Sequence, residues 1–515
     1  MKNCKATWAA LAATLMLAAC GGGGSPGTAG TQNANPGRGV LMQSPPPRIT
    51  SMTAADFTTL LNASASGKSL LQLAGNPTCG VDVQYLQYGT VGGAGEATSA
   101  SGVLMTPTGS AAQCTGARPI VMYAHGTNVS KRYNLADFAD KTNPAYNEAA
   151  LLAALYAAQG YIVVAPNYAG YDSSTLSYHP YLNADQQSKE MIDVLAAAKS
   201  ALPTLMSSTS ASAKLFLTGY SQGGHVAMAT HRAMQAAGIP VTASAPMSGP
   251  YALAAQSDAT FYGNVNLGGT VFTPMIFTSY QKAYGNLYST PADLYESAYV
   301  SGIESLIPGP YDFGSLLASG KLPSTALFSS TPPAPAFASI TPPVTGQPTD
   351  ALFALGFGSN NLIKNSARAA YLMDAMANPD GVVPAFSTGA PAAGAQSPLR
   401  KAVVRNDLRG WTPTSPVLLC GGNGDPTVFY SLNTQVMGAI WAPLVAAHLV
   451  TVLDVDSAPT AGDPFAAAKA GFAATKAATA AAAGANAASA VTQAYHGTLV
   501  PPFCNAAARG FFAQF

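Results

Sequence analysis

Charged side chains are scarce. Asp, Glu, Lys and Arg together make up 9% of the 515 residues, and the formal net charge is +1. Soluble domains usually carry about a quarter. A balance so close to neutral provides no electrostatic footprint for nucleic acid or another polyanion. None of the six cysteines forms a C-x-x-C pair, which argues against zinc-binding and thioredoxin-like sites. There is no metal-ligand spacing, no glycine-rich dinucleotide fingerprint and no internal repeat, so neither metal nor cofactor is expected. The chain also lacks an apolar run of membrane-spanning length. The stretch at residues 6–19 is too short, and the Ala-rich stretch at residues 465–490 carries Lys469 and Lys476. That second stretch reads as a surface helix or a pair of helices. At 48% hydrophobic, the chain has ample material for a large core in one or two domains.

The N-terminus has the form of an export signal. Lys2 and Lys5 precede the short apolar stretch, and residues 1–19 are expected to be removed. The sequence Leu17-Ala18-Ala19-Cys20-Gly21 resembles the lipobox of bacterial lipoproteins, in which the exposed cysteine, here Cys20, carries the lipid. Gly21 after it is similar to outer-membrane sorting signals. The resemblance implies membrane contact through the N-terminal lipid alone, on an exported outer-membrane or extracellular protein. Residues 20–50 are rich in Gly, Pro, Asn and Ser and are expected to form a flexible tether.

From residue 51 onward the pattern is that of one large domain. Apolar residues at 81–88 and 102–107 flank Gly92-Gly93-Ala94-Gly95, which predicts an antiparallel hairpin. Cys79 and Cys114 then fall at the same end of that hairpin and are expected to pair, leaving Cys420 for Cys504. Short apolar runs at 120–123, 161–165, 215–218 and 241–246 alternate with helical stretches at 148–159, 185–201 and 222–237. Such alternation predicts a mostly parallel, doubly wound sheet covered on both faces. It lapses over residues 251–400, which include the Pro-rich Thr331-Pro332-Pro333-Ala334-Pro335, and returns at 416–419 and 448–453. The lapse is read as a cap inserted over the C-terminal edge of the sheet, the alternative being a small separate domain or linker.

The most specific feature is Gly219-Tyr220-Ser221-Gln222-Gly223, directly after the apolar run at 215–218. A strand, a tight glycine-flanked turn with serine at its apex and then a helix make a nucleophile elbow. A second match, Gly23-Gly24-Ser25-Pro26-Gly27, has no strand before it. An elbow of this kind belongs to α/β-hydrolases, in which the acid and then the histidine follow the serine along the chain. His125 and His179 precede Ser221, and His225 and His231 lie on the helix of the elbow itself. His448 stands at the start of a strand, the wrong end of the sheet. His496 remains as the base, expected on a loop after the last strand. Asp425 follows the strand at 416–419 through Cys420-Gly421-Gly422-Asn423-Gly424, where the acid belongs; Asp454 and Asp456 are the reserves. A Cys420–Cys504 bridge would tie the acid loop to the base loop. Oxyanion donors are expected at Gln222, the residue after the nucleophile, and at Thr127 in Ala124-His125-Gly126-Thr127.

The chain resembles the secretory lipase family of α/β-hydrolases. The likeness is carried by His125-Gly126-Thr127, by the elbow, by Asn167-Tyr168-Ala169-Gly170-Tyr171, and by Asn406-Asp407-Leu408 through Trp411-Thr412-Pro413 to Pro416-Val417. Asn167 stands where an aspartate is common. The resemblance implies a capped serine esterase or lipase that takes a small-molecule or lipid ester through an acyl-enzyme. A peptidase or amidase using the same triad, or a non-catalytic surface binding protein, are the competing readings.

Overall fold

Nine strands define the molecule, in a computed structural model that describes residues 36–515. The signal, Cys20, the second G-x-S-x-G match and the first part of the expected tether all lie outside the described residues. In chain order the strands are β1 (Arg48–Met52), β2 (Gly80–Val91), β3 (Ala97–Thr108), β4 (Gly116–Ala124), β5 (Ile162–Pro166), β6 (Thr209–Tyr220), β7 (Ala243–Met247), β8 (Val417–Gly421) and β9 (Val450–Asp454). They lie in one sheet in the order β1-β2-β3-β5-β4-β6-β7-β8-β9. The first three are antiparallel to their neighbours, and every pairing from β5 to β9 is parallel. This is the α/β-hydrolase fold.

The central strands β5, β7 and β8 are buried along their whole length, as parallel strands covered on both faces must be. Helices Ala184–Ala201 and Gln222–Ala236 pack on each other and on the sheet. The C-terminal helix Val500–Phe512 packs against β6, β7 and helix Tyr146–Leu155, with Phe512 stacked on Phe216 at 4.5 Å. The Ala-rich stretch forms two helices, Ala466–Ala483 and Ala487–Ala494. Among the described residues no helix is long and apolar enough to cross a membrane.

Two expectations are revised. The part of the tether that is described is paired with the sheet: Arg38 and Leu41 bridge to Gly89 and Tyr88, and β1 pairs with β2. Arg38 also binds Asp193 at 3.1 Å. A proline-rich sequence can run there because an edge strand needs only one row of backbone bonds. His496 is not on a loop: it sits in a π-turn, Tyr495–Leu499, joined directly to the C-terminal helix.

Residues 251–400 build a second apolar core around Tyr280, Tyr295, Leu316, Leu327, Phe328 and Leu372. It carries the helices Leu253–Phe261, Gly269–Tyr284, Asn365–Ala377 and Pro398–Arg405 and one short ribbon pairing Phe328–Ser329 with Phe357–Gly358. Buried ion pairs fix this segment. Arg400 binds Asp258 at 2.7 Å and Asp374 at 3.2 Å, and Arg409 binds Asp380 at 2.7 Å and Asp407 at 2.9 Å. Charges taken out of water at such cost need every partner in place. The segment touches two loops at one edge of the sheet. Gly309 exchanges backbone bonds with Val129 and Lys131 after β4, and Leu267 N–H donates to Pro426 O after β8.

Candidate active site

Backbone conflict at one residue marks the centre of the site. Ser221 has φ 59° and ψ −121°, a conformation that L-residues avoid at about 1–3 kcal/mol. Its neighbours explain how the turn closes. A Cβ on Gly219 would lie 2.4 Å from Gly223 O, and one on Gly223 would lie 1.8 Å from Ala124 O. Only glycine lets β6, the helix and β4 approach so closely. The Ser221 N–H donates to Met247 O at 3.0 Å, which holds the turn against β7.

The three residues expected as a triad meet. Ser221 Oγ lies 2.8 Å from His496 Nε2, and His496 Nδ1 lies 2.6 Å from Asp425 Oδ2. Asp425 Oδ1 accepts the N–H groups of Thr427 at 2.9 Å and Val428 at 3.0 Å, so its carboxylate is fixed and Oδ2 faces the imidazole. With a carboxylate on Nδ1, the proton resides there and Nε2 is left to accept from the serine hydroxyl. The carboxylate is 1% exposed and the imidazole 12%. Tyr220 OH donates to His496 O at 2.6 Å and steadies the π-turn from below.

Both disulfides form as expected, Cys79 with Cys114 and Cys420 with Cys504. The second joins the end of β8, five residues before Asp425, to the helix that follows His496. Reduction is expected to lower activity under conditions in which the protein stays folded, since the segments of Asp425 and His496 then lose their covalent tie. Activity assayed beside far-UV circular dichroism after dithiothreitol tests this; full activity with both thiol pairs free would contradict it.

The loop after β4 faces Ser221: a Cβ on Gly126 would lie 3.8 Å from Ser221 Cβ. Thr127 Oγ1 is 2.7 Å from Tyr181 OH, and the Gln222 side-chain amide is 2.7 Å from His179 Nε2. One short segment, residues 179–181, therefore holds both residues expected to supply oxyanion donors. Gln222 opens its helix, where a backbone N–H has no acceptor within the helix. Beneath the loop, Glu148 accepts from Tyr123 OH at 2.8 Å and from Tyr133 OH. Sequence patterns gave no sign of these supports, because each joins residues far apart in the chain.

Three further histidines have other partners. His125 contacts Gly126 O and Asn167 O and lies between the rings of Tyr133 and Tyr168. His225 Nε2 donates to Asn406 O at 2.8 Å, and His231 sits between Ser244 and Ser415. His448 is in the turn before β9. The reserve acids do not reach His496: Asp454 holds Asn423, and Asp456 holds Lys476 and Tyr495. Among the described residues, no three His, Cys, Asp or Glu side chains are grouped as metal ligands.

Burial pushes His179 down to about 3 and His225 and His231 down to about 4, and it lowers His125 as well. These rings stay neutral in the fold while the unfolded chain protonates them at about 6.5. The unfolded state then binds more protons, so stability is present above about pH 6.5 and is lost as pH falls below it. Glu190 acts the other way. Burial raises it to about 7, so the fold keeps a proton there that the unfolded chain releases. The lowered histidines outnumber Glu190, so the fold is expected to be less stable at pH 5.5 than at pH 7. Urea unfolding at pH 7 and pH 5.5 measures this, and an unchanged midpoint would contradict it.

The α/β-hydrolase fold is shared with solved esterases and hydrolases. The chain is similar to a ligand-bound form of the rice cell wall degrading esterase LipA from Xanthomonas oryzae, with 26% identity and a TM-score of 0.65 over 92% of this chain and 98% of that one. It is similar in fold to a putative hydrolase from Legionella pneumophila, with 19% identity and a TM-score of 0.60 over 92% of this chain and 97% of that one. No protein-family profile matches the sequence, and no curated protein matches it. The first likeness supports a hydrolase, and the second shows the fold.

Proposed function

We propose that the protein hydrolyses carboxylic esters through an acyl-enzyme on Ser221. The observation that carries this reading is the hydrogen-bonded series Ser221 Oγ, His496 imidazole and Asp425 carboxylate, with 2.8 and 2.6 Å links. His496 Nε2 takes the proton as Ser221 Oγ attacks the ester carbonyl, and Asp425 stabilises the imidazolium that forms. The N–H groups of Gln222 and Thr127 receive the oxyanion, each donor contributing about 10²–10³ in rate. The tetrahedral intermediate collapses, and His496 hands its proton to the departing alkoxide. Water then repeats the sequence on the acyl-Ser221 ester, releasing acid and restoring the serine. The likeness to LipA, an esterase by name, supports ester rather than amide substrates.

Residues 251–400 act in this reading as a cap that selects an apolar acyl or aryl group. Backbone bonds from Gly309 to Val129 and Lys131 after β4, and from Leu267 to Pro426 after β8, support this reading. Two disulfides fit an exported protein. Nitrophenyl esters of increasing acyl length test the assignment. Hydrolysis that depends on acyl length supports it, and failure to cleave any ester would overturn it.

A further inference from the structure

Tyr495 immediately precedes the base and reaches across to the loop of the acid. Its hydroxyl accepts the N–H of Gly424 at 3.0 Å and donates to Asp456 Oδ2 at 2.7 Å. Asp456, just after β9, is gripped in turn by Lys476 Nζ at 2.6 and 2.8 Å, from helix Ala466–Ala483. The acid loop is shaped to admit the ring. A Cβ on Gly422 would come 2.6 Å from the Tyr495 hydroxyl, and one on Gly424 would come 3.0 Å from the ring. On the other flank of the same turn, Asp454 accepts from Asn423 N–H at 3.1 Å and from its amide at 2.7 Å. The turn that delivers Asp425 is therefore held from both sides, and one of those holds is bonded covalently to His496.

We propose that Tyr495 is a positioning residue for the triad, and that the series Lys476, Asp456, Tyr495, Gly424 sets the distance between the Asp425 carboxylate and the His496 imidazole. This rests on the catalytic reading of Ser221, His496 and Asp425. It gives the inserted Ala-rich helix a function at the site: Lys476 fixes Asp456, which fixes the hydroxyl. Burial and the adjacent Asp456 keep that hydroxyl protonated, hence a donor, throughout the working range. A reacting pair misplaced by about 1 Å can lose about 10² in rate, so a modest drift of the acid loop is kinetically visible.

Tyr495→Phe removes the hydroxyl alone, because Phe472 still packs on the ring at 5.6 Å. The expected result is a fall in kcat of about tenfold with KM unchanged within about twofold. A purely structural role would lower activity equally in any background, so the decisive comparison adds Asp425→Asn. If Tyr495 acts by placing Asp425, its loss costs nothing further once that carboxylate is gone. A kcat within twofold of wild type, or an equal loss in both backgrounds, would overturn the proposal. Should Tyr495→Phe not fold, Asp456→Asn undergoes the same cycle with the same two outcomes. Ser221→Ala is measured alongside: if it keeps hydrolysis, the catalytic reading itself has failed, separately from the role of Tyr495.

Discussion

Ser221→Ala is expected to lower kcat for a nitrophenyl ester by about 10⁵–10⁶-fold, with KM close to wild type. In the proposed reaction Ser221 Oγ, 2.8 Å from His496 Nε2, is the acyl acceptor. The variant keeps the backbone N–H groups of Gln222 and Thr127, so a residual rate of about 10³ over water remains. Folding should be little affected. Alanine at φ 59° bears the same backbone strain as serine, and the Ser221 N–H bond to Met247 O survives. Thermal unfolding beside steady-state kinetics checks both halves, and a loss of activity that merely tracked unfolding would not satisfy the expectation.

Asp425→Asn is expected to cost about 10⁴-fold in kcat while leaving the fold intact. The amide oxygen can still accept from Thr427 and Val428 N–H, as Asp425 Oδ1 does. Its NH₂ then faces His496 Nδ1 as a donor. The imidazole must answer with the tautomer that carries hydrogen on Nε2, and that nitrogen can no longer take the serine proton. Because Asp454 and Asp456 are engaged by Asn423 and by Lys476 with Tyr495, neither can substitute. Activity within tenfold of wild type would mean that another carboxylate supports the base.

Much of this site is legible in the chain because its chemistry requires rare local patterns. Gly219 and Gly223 are read from sequence as turn residues, and the 1.8 Å approach of a Cβ on Gly223 to Ala124 O gives the physical reason. Chain order, together with the place of His448 at the start of a strand, isolates His496 among six histidines. What the sequence conceals is whatever depends on contacts between distant loops. The His179–Gln222 and Tyr181–Thr127 contacts have no spacing rule, and neither does the hold of Tyr495 on Gly424. The π-turn around His496 carries no residue signature that separates it from a loop. The segment at residues 251–400 lacks periodicity for a related reason. Arg368, Arg400 and Arg409 are all buried within or beside it, so charged side chains occupy positions where a repeating apolar face would otherwise be read.

The most direct measurement is to map the adduct left by a nitrophenyl alkylphosphonate, which mimics the tetrahedral intermediate and stays bound to an activated serine. One phosphonyl group on Ser221, formed in step with loss of esterase activity and absent from His496→Ala, is the predicted result. Complete inactivation with Ser221 unmodified, or labelling at another residue, would contradict the account.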